Sequence, residues 1–120
     1  MKKILAIDDD PNIAELIKAR LEANAYEVVT AGDGEQGLEQ LKTGHFDVVV
    51  LDVAMPRMDG YSFVLELKQR PEFKDIKIIV LTAKDQMKEL FGLEGVHYFY
   101  TKPFIADVFL KKLKAILGEQ

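Results

Sequence analysis

The chain contains no cysteine, so it holds neither a disulfide framework nor a thiolate metal site. No apolar run approaches the length that spans a bilayer. Met1-Lys2-Lys3 followed by four apolar residues is too short for a secretory core segment. Basic residues are not in excess: the formal net charge is −4, which argues against a nucleic-acid-binding surface with its basic stripe. Repeats, low-complexity tracts and linker-like stretches are missing as well. What remains is 120 residues with 48% hydrophobic and 30% charged side chains, ordinary for a water-soluble globular chain. That length supports one sizeable core and not two, so a single domain over residues 1–120, cytoplasmic and without a membrane attachment, is the expectation.

Two hydrophobic periods alternate along this length. Short apolar runs stand at Lys3–Ile7, Tyr26–Thr30, Val48–Leu51, Ile76–Leu81 and Val96–Tyr100, and read as strands. Between them apolar residues recur at helical spacing: Ile13, Leu16, Ile17 and Leu21; Leu38 and Leu41; Phe63, Val64, Leu65 and Leu67; a short fourth stretch at Leu90 and Phe91; and Phe104, Val108, Leu110, Leu113, Ile116 and Leu117. Strands alternating with helices imply a parallel sheet covered on both faces. Right-handed crossovers place the first and third strands side by side in the order 2-1-3-4-5. The expected fold is therefore α/β, a flavodoxin-like (βα)5 three-layer sandwich. Asp10 followed by Pro11 reads as the start of the first helix, with Asn24 near its end and Gly118 near the end of the last.

Chemistry-bearing residues gather at the strand ends. Asp8, Asp9 and Asp10 close the first apolar run, Asp52 the third and Thr82 the fourth, and Lys102 follows the aromatic run His97–Tyr100. In open parallel sheets ligands bind at the carboxyl ends of strands, and the first and third strands flank the switch point. Adjacent aspartates repel unless a cation sits among them, and a hard oxygen-seeking ion such as Mg²⁺ suits one or two carboxylates plus a phosphate. Lys102 supplies a second positive charge and Thr82 a hydroxyl donor. Asp52 is then a candidate nucleophile, since carboxylates form aspartyl-phosphate intermediates. Any one of these residues read alone is as well explained by a helix cap or a turn. Their recurrence at successive strand ends is not.

Taken in order, these residues resemble the receiver domain of two-component response regulators over nearly the whole chain. The matching set is Asp8-Asp9; Asp52 with Met55, Pro56, Met58, Asp59 and Gly60; Thr82-Ala83; and Lys102-Pro103-Phe104. The resemblance implies that Asp52 accepts a phosphoryl group from a sensor histidine kinase, a phosphotransfer protein or a small phosphodonor. It implies Mg²⁺, with Mn²⁺ as an alternative, held directly by Asp9 and Asp52, through water by Asp8, and by the Ala54 carbonyl. Thr82 and Lys102 would grip the phosphoryl oxygens, and the domain would hydrolyse its own aspartyl-phosphate. Thr82 and Phe99, three residues before Lys102, would be the switch pair that re-forms a surface for a downstream protein target. The resemblance further implies no direct nucleic-acid contact by this domain, and a monomer or a phosphorylation-dependent dimer. Residues 84–100 depart from the family's commonest pattern in length and in lacking an Ala-Gly-Ala turn, so the fourth helix is expected to be short, shifted or partly unwound.

Three rival readings carry different chemistry. Gly32-Asp33-Gly34-Glu35-Gln36-Gly37 matches G-x-G-x-x-G between a strand and a helix, the context of a dinucleotide site, but it follows the second strand instead of the first. Asp8-x-Asp10 could open a haloacid-dehalogenase-like phosphatase, which would need a further acidic pair beyond Lys102, where Asp107 is the only aspartate. A pseudo-receiver that binds partners without phosphorylation would not need the full set of reactive residues present here. His45 reads as a solvated turn residue, and Lys111, Lys112 and Lys114 as the solvent face of the last helix.

Overall fold

A computed structural model describes the backbone of residues 2–52, 60–82, 98–101 and 106–118, and their side chains except at positions 52, 60, 61, 82, 98–101 and 106–109. Five strands are described: β1 (Lys3–Ile7), β2 (Glu27–Ala31), β3 (Val48–Asp52), β4 (Lys77–Thr82) and β5 (Tyr98–Thr101). They form one sheet in the order β2-β1-β3-β4-β5 with every neighbouring pair parallel. Among the described residues four helices accompany it: α1 (Pro11–Glu22), α2 (Gly34–Leu41), α3 (Gly60–Lys68) and α4 (Ala106–Ile116), the last being the fifth helix of the sequence pattern. A 3-10 turn, Pro71–Phe73, leads into β4. The fourth helix expected at Leu90 and Phe91 lies outside the described residues, and no described helix is long and apolar enough to cross a membrane.

The core divides in two because strand side chains alternate between faces. Ile4, Ala6, Val28, Val48, Val50, Ile79 and Leu81 pack with Ile17 and Leu21 of α1 and Leu113 of α4. Leu5, Ile7, Val49, Leu51, Ile78 and Val80 pack with Leu38 and Leu41 of α2 and Phe63, Val64 and Leu67 of α3. With both faces covered, the central strands must be apolar at every position, which is why they read as solid runs instead of alternating ones.

The close of α1 carries local strain. Tyr26 N–H donates to the Leu21 carbonyl at 3.2 Å and Ala25 N–H to the Glu22 carbonyl at 3.2 Å, the paired bonds of a Schellman closure. The contact that accompanies this closure is present too, since Tyr26 and Leu21 are buried in the same cluster. The position between them is left-handed, and it holds Ala25 at φ 68° where glycine is favoured. Ala25→Gly is therefore expected to raise stability by about 1 kcal/mol, read as a higher urea midpoint; a lower midpoint would count against strain at this site.

At the amino ends of the strands, Asp47 ties three of them together. Its N–H donates to the Lys3 carbonyl at 2.8 Å, its carbonyl accepts from Lys77 N–H at 3.2 Å, and its Oδ2 accepts from Lys3 N–H at 2.9 Å. His45, read as a solvated turn residue, is indeed exposed, but its Nε2 lies 3.1 Å from Asp47 Oδ1. Burial pushes the Asp47 carboxyl up, yet the Lys3 N–H, the hydrogen bond and charge of His45 and the charge of Lys2 together hold it below its ordinary value. A depressed carboxylate stabilises the fold above its unfolded pKa, and that contribution disappears as pH falls through the folded value. Asp47→Ala is accordingly expected to cost about 1–2 kcal/mol at pH 7. The gap to the parent chain should narrow below about pH 4 in urea titrations; a gap independent of pH would exclude the charged bond as its source.

Candidate functional site

The register of the sheet brings the first two acidic segments together. Ile7 of β1 pairs with Leu51 of β3 as the last pair of that ladder, so Asp8 and Asp52 are the next residues along the two neighbouring chains. This is the switch point, where the chain has crossed to β2 on one side and continues to β4 on the other. Asp52 itself pairs with Leu81, placing Thr82 one step beyond it at the end of β4, and Thr82 pairs with Thr101 at the end of β5. Phe99 pairs with Val80 in the backbone ladder. Lys102, the residue after Thr101, lies outside the described residues, as do Ala54 and the segment from Met55 to Asp59.

The three consecutive aspartates have separate environments. Asp8 is 3% exposed; its N–H donates to the Ala31 carbonyl at 3.1 Å and its Oδ1 accepts from Asp10 N–H at 2.9 Å. Asp9 is exposed at the turn. Asp10 caps α1 as its sequence context suggested. Its backbone is extended, its side chain accepts from Asn12 N–H at 2.9 Å, and Pro11 occupies the first helical turn, where a missing N–H costs nothing. Asp10 is thus committed to the helix, which leaves Asp8 and Asp9, directly after β1, without that capping role.

This donor set fits a hard divalent cation: the side chains offered are carboxylates, with no thiolate in the chain to favour a softer metal. Among the described residues no group of three or more such side chains comes together, and the side chain of Asp52 lies outside them.

The glycine motif has a different use. α2 is capped by Asp33, whose carboxylate accepts from Gln36 N–H at 2.8 Å, so the anion-binding end of that helix is already occupied by an anion of the chain itself. Gly37 is a packing residue: a Cβ there would lie 2.5 Å from Ile7 Cδ1 and 3.3 Å from Phe63 Cε2. The motif also sits beside the edge strand β2, away from the switch point. Sequence reasoning found the pattern and missed its purpose, because packing distance leaves no mark on spacing.

A family profile described as the response regulator receiver domain matches residues 4–114. The alkaline phosphatase synthesis transcriptional regulatory protein PhoP of Bacillus subtilis is 40% identical over 118 residues, covering 97% of this chain and 48% of PhoP. The response regulator MprA of Mycobacterium leprae is 38% identical over 117 residues, covering 96% of this chain and 50% of MprA. The chain thus spans about half the length of these curated relatives. Among solved structures, the chemotaxis protein CheY4 of Vibrio cholerae superposes with a TM-score of 0.91 at 33% identity, covering 97% of this chain and 98% of CheY4. The response regulator TrrA of Thermotoga maritima, solved in complex with Mg²⁺ and BeF, gives a TM-score of 0.85 at 36% identity, covering 97% of this chain and 99% of TrrA. Receiver domains generally bind Mg²⁺ and interact with histidine kinases. By family, fold and sequence, this chain belongs to the response regulator receiver domains, the phosphoacceptor modules of two-component signalling.

Proposed function

We propose that Asp52 is the phosphoryl acceptor of this receiver, with Asp8, Asp9, Asp52 and the Ala54 carbonyl as the Mg²⁺ ligands and Thr82 and Lys102 as the groups that hold the phosphoryl oxygens. The observation that carries this reading is the β1–β3 register, which sets Asp8 and Asp52 side by side at the carboxyl ends of adjacent parallel strands. An Asp52 oxygen attacks phosphorus in line. The P–N bond of the donor phosphohistidine, or the P–O bond of acetyl phosphate, breaks as the new P–O bond forms, and the electron pair leaves with the donor. A bound cation supplies neutralisation of charge on the transferring oxygens. The rest falls to the chain: Asp8 and Asp9 provide an anionic cradle, Lys102 a fixed positive charge, and Thr82 a hydroxyl donor that is drawn toward the new oxygens. Autodephosphorylation then follows by water attack on the same phosphorus.

Thr82 and Phe99 form the switch pair in this reading, since both stand in the β4–β5 ladder, Phe99 opposite Val80 and Thr82 two positions further on, opposite Thr101. The domain, residues 1–120, acts in the cytoplasm between a sensor histidine kinase or phosphotransfer protein and a downstream protein. It does so as a monomer or a phosphorylation-dependent dimer, without contacting nucleic acid or membrane itself. Mn²⁺ replaces Mg²⁺ in the same oxygen site. The test is incubation with acetyl phosphate: a mass gain of one phosphoryl group that requires divalent cation, and is lost with EDTA, is expected. No mass gain, and no spectral response to beryllofluoride, would instead identify a binding module that is not phosphorylated.

A further inference from the structure

We infer that Gln36 is a positioning residue for Asp8, acting through a single peptide group. Gln36 Oε1 accepts the N–H of Gly32 at 2.9 Å, and the carbonyl of that same peptide, Ala31 C=O, accepts the N–H of Asp8 at 3.1 Å. The chain of bonds runs from the Gln36 side chain through the Ala31–Gly32 peptide plane to the backbone of the buried acid just past the carboxyl end of β1. Hydrogen bonds in series polarise one another, so an acceptor on the N–H side strengthens the bond on the carbonyl side. The clamp also fixes the tilt of the peptide plane on which Asp8 is seated.

Each part of the clamp has a local cause. Gln36 is held by the first turn of α2, whose cap Asp33 accepts from Gln36 N–H at 2.8 Å. Gly32 leaves room for the side-chain oxygen, since a Cβ at that position would stand 3.3 Å from it. Asp8 is held a second time through its carboxylate, by Asp10 N–H at 2.9 Å. The glycine motif that imitates a dinucleotide fingerprint thus seats an acid of the phosphorylation site from the neighbouring strand. This inference rests on the proposed role of Asp8 in the cation site.

The test compares Gln36→Leu, which removes the acceptor, with Gln36→Glu, which keeps it. Asp47→Ala serves as a control at the far end of the sheet, and every variant is first confirmed folded by circular dichroism. Mg²⁺ affinity is measured calorimetrically, and the Asp8 amide proton is followed by NMR. Gln36→Leu is expected to weaken Mg²⁺ binding about three- to tenfold and to move the Asp8 amide resonance upfield. Gln36→Glu should restore both to within about twofold of the parent, and Asp47→Ala should change neither. Unchanged Mg²⁺ affinity in Gln36→Leu overturns the inference, as does a loss that Gln36→Glu fails to restore or that Asp47→Ala reproduces. A parent chain that binds no Mg²⁺, or binds it equally well as Asp52→Asn, overturns the site assignment itself and this inference with it.

Discussion

Replacing Asp52 with asparagine is expected to abolish phosphoryl acceptance from acetyl phosphate, while Asp8→Asn and Asp9→Asn slow it and leave the acceptor in place. The difference follows from what each carboxylate does in the proposed site. Asp52 contributes the oxygen that forms the new bond to phosphorus, and an asparagine oxygen is too weak a nucleophile to substitute for it. Asp8 and Asp9 supply charge and cation ligation, so their loss is a matter of degree. A reduction of roughly 10- to 100-fold is expected for Asp8→Asn, a ligand through water, and up to about 1000-fold for Asp9→Asn, a direct one. Rates of mass gain measure both, and peptide mapping locates the modified residue. Phosphate found on Asp8, or an Asp52→Asn chain that still labels at the parent rate, would transfer the acceptor role to β1 and revive the phosphatase-like reading of Asp8-x-Asp10.

The sheet order and the acidic segments were legible in the sequence because both depend on local pattern. Solid apolar runs announce strands buried on two faces, and the alternation with helices leaves few parallel topologies. The strand ends were less legible. Tyr26 and Ile76 are buried and were read as strand residues. Their N–H groups instead bond locally, Tyr26 to the Leu21 carbonyl and Ile76 to the Phe73 carbonyl, so β2 and β4 begin one residue later. At the other end the ladder continues one residue past the apolar run, through Ala31, Asp52, Thr82 and Thr101. Hydropathy follows burial and pairing follows backbone bonds, and the two part company where a strand meets its loop. For the site this matters: Asp52 and Thr82 are the last paired residues of their strands, not the first residues of turns.

The candidate acids were visible as a cluster, but their division of labour was not. Asp10 was distinguishable as a cap only because Pro11 follows it. Asp47 drew no notice because its work is done by backbone bonds to Lys3 and Lys77, which spacing does not encode. Gln36 was hidden inside a motif with a better-known meaning. For Asp47, and for the Ala31–Asp8 bond that gives Gln36 its reach, the missing information was a contact between residues distant in sequence.

Gly37→Ala tests the tightest of those contacts. A helix-interior glycine replaced by alanine ordinarily gains about 1 kcal/mol in helix propensity. Here the added Cβ would lie 2.5 Å from Ile7 Cδ1, 3.2 Å from Ile7 Cγ1 and 3.3 Å from Phe63 Cε2. Ile7 is 1% exposed and Phe63 0%, so neither side chain can swing aside into solvent. Overpacking of this kind costs about 1–3 kcal/mol, and a clash with two fully buried side chains belongs near the upper end. Packing therefore outweighs propensity, and a net loss of about 2 kcal/mol is expected in urea unfolding. Ile7→Val removes the atom in closest conflict at a cost of about 1 kcal/mol by itself. If the clash is the cause, the double variant should lose clearly less than the sum of the two single changes, with a coupling of about 1–2 kcal/mol. Strict additivity would rule out the contact as the source. Because Ile7 immediately precedes Asp8, the same pair of variants also connects packing to function. Relief of the clash should restore phosphorylation rate together with stability, since α2 then returns to the distance from β1 at which the buried acid is seated.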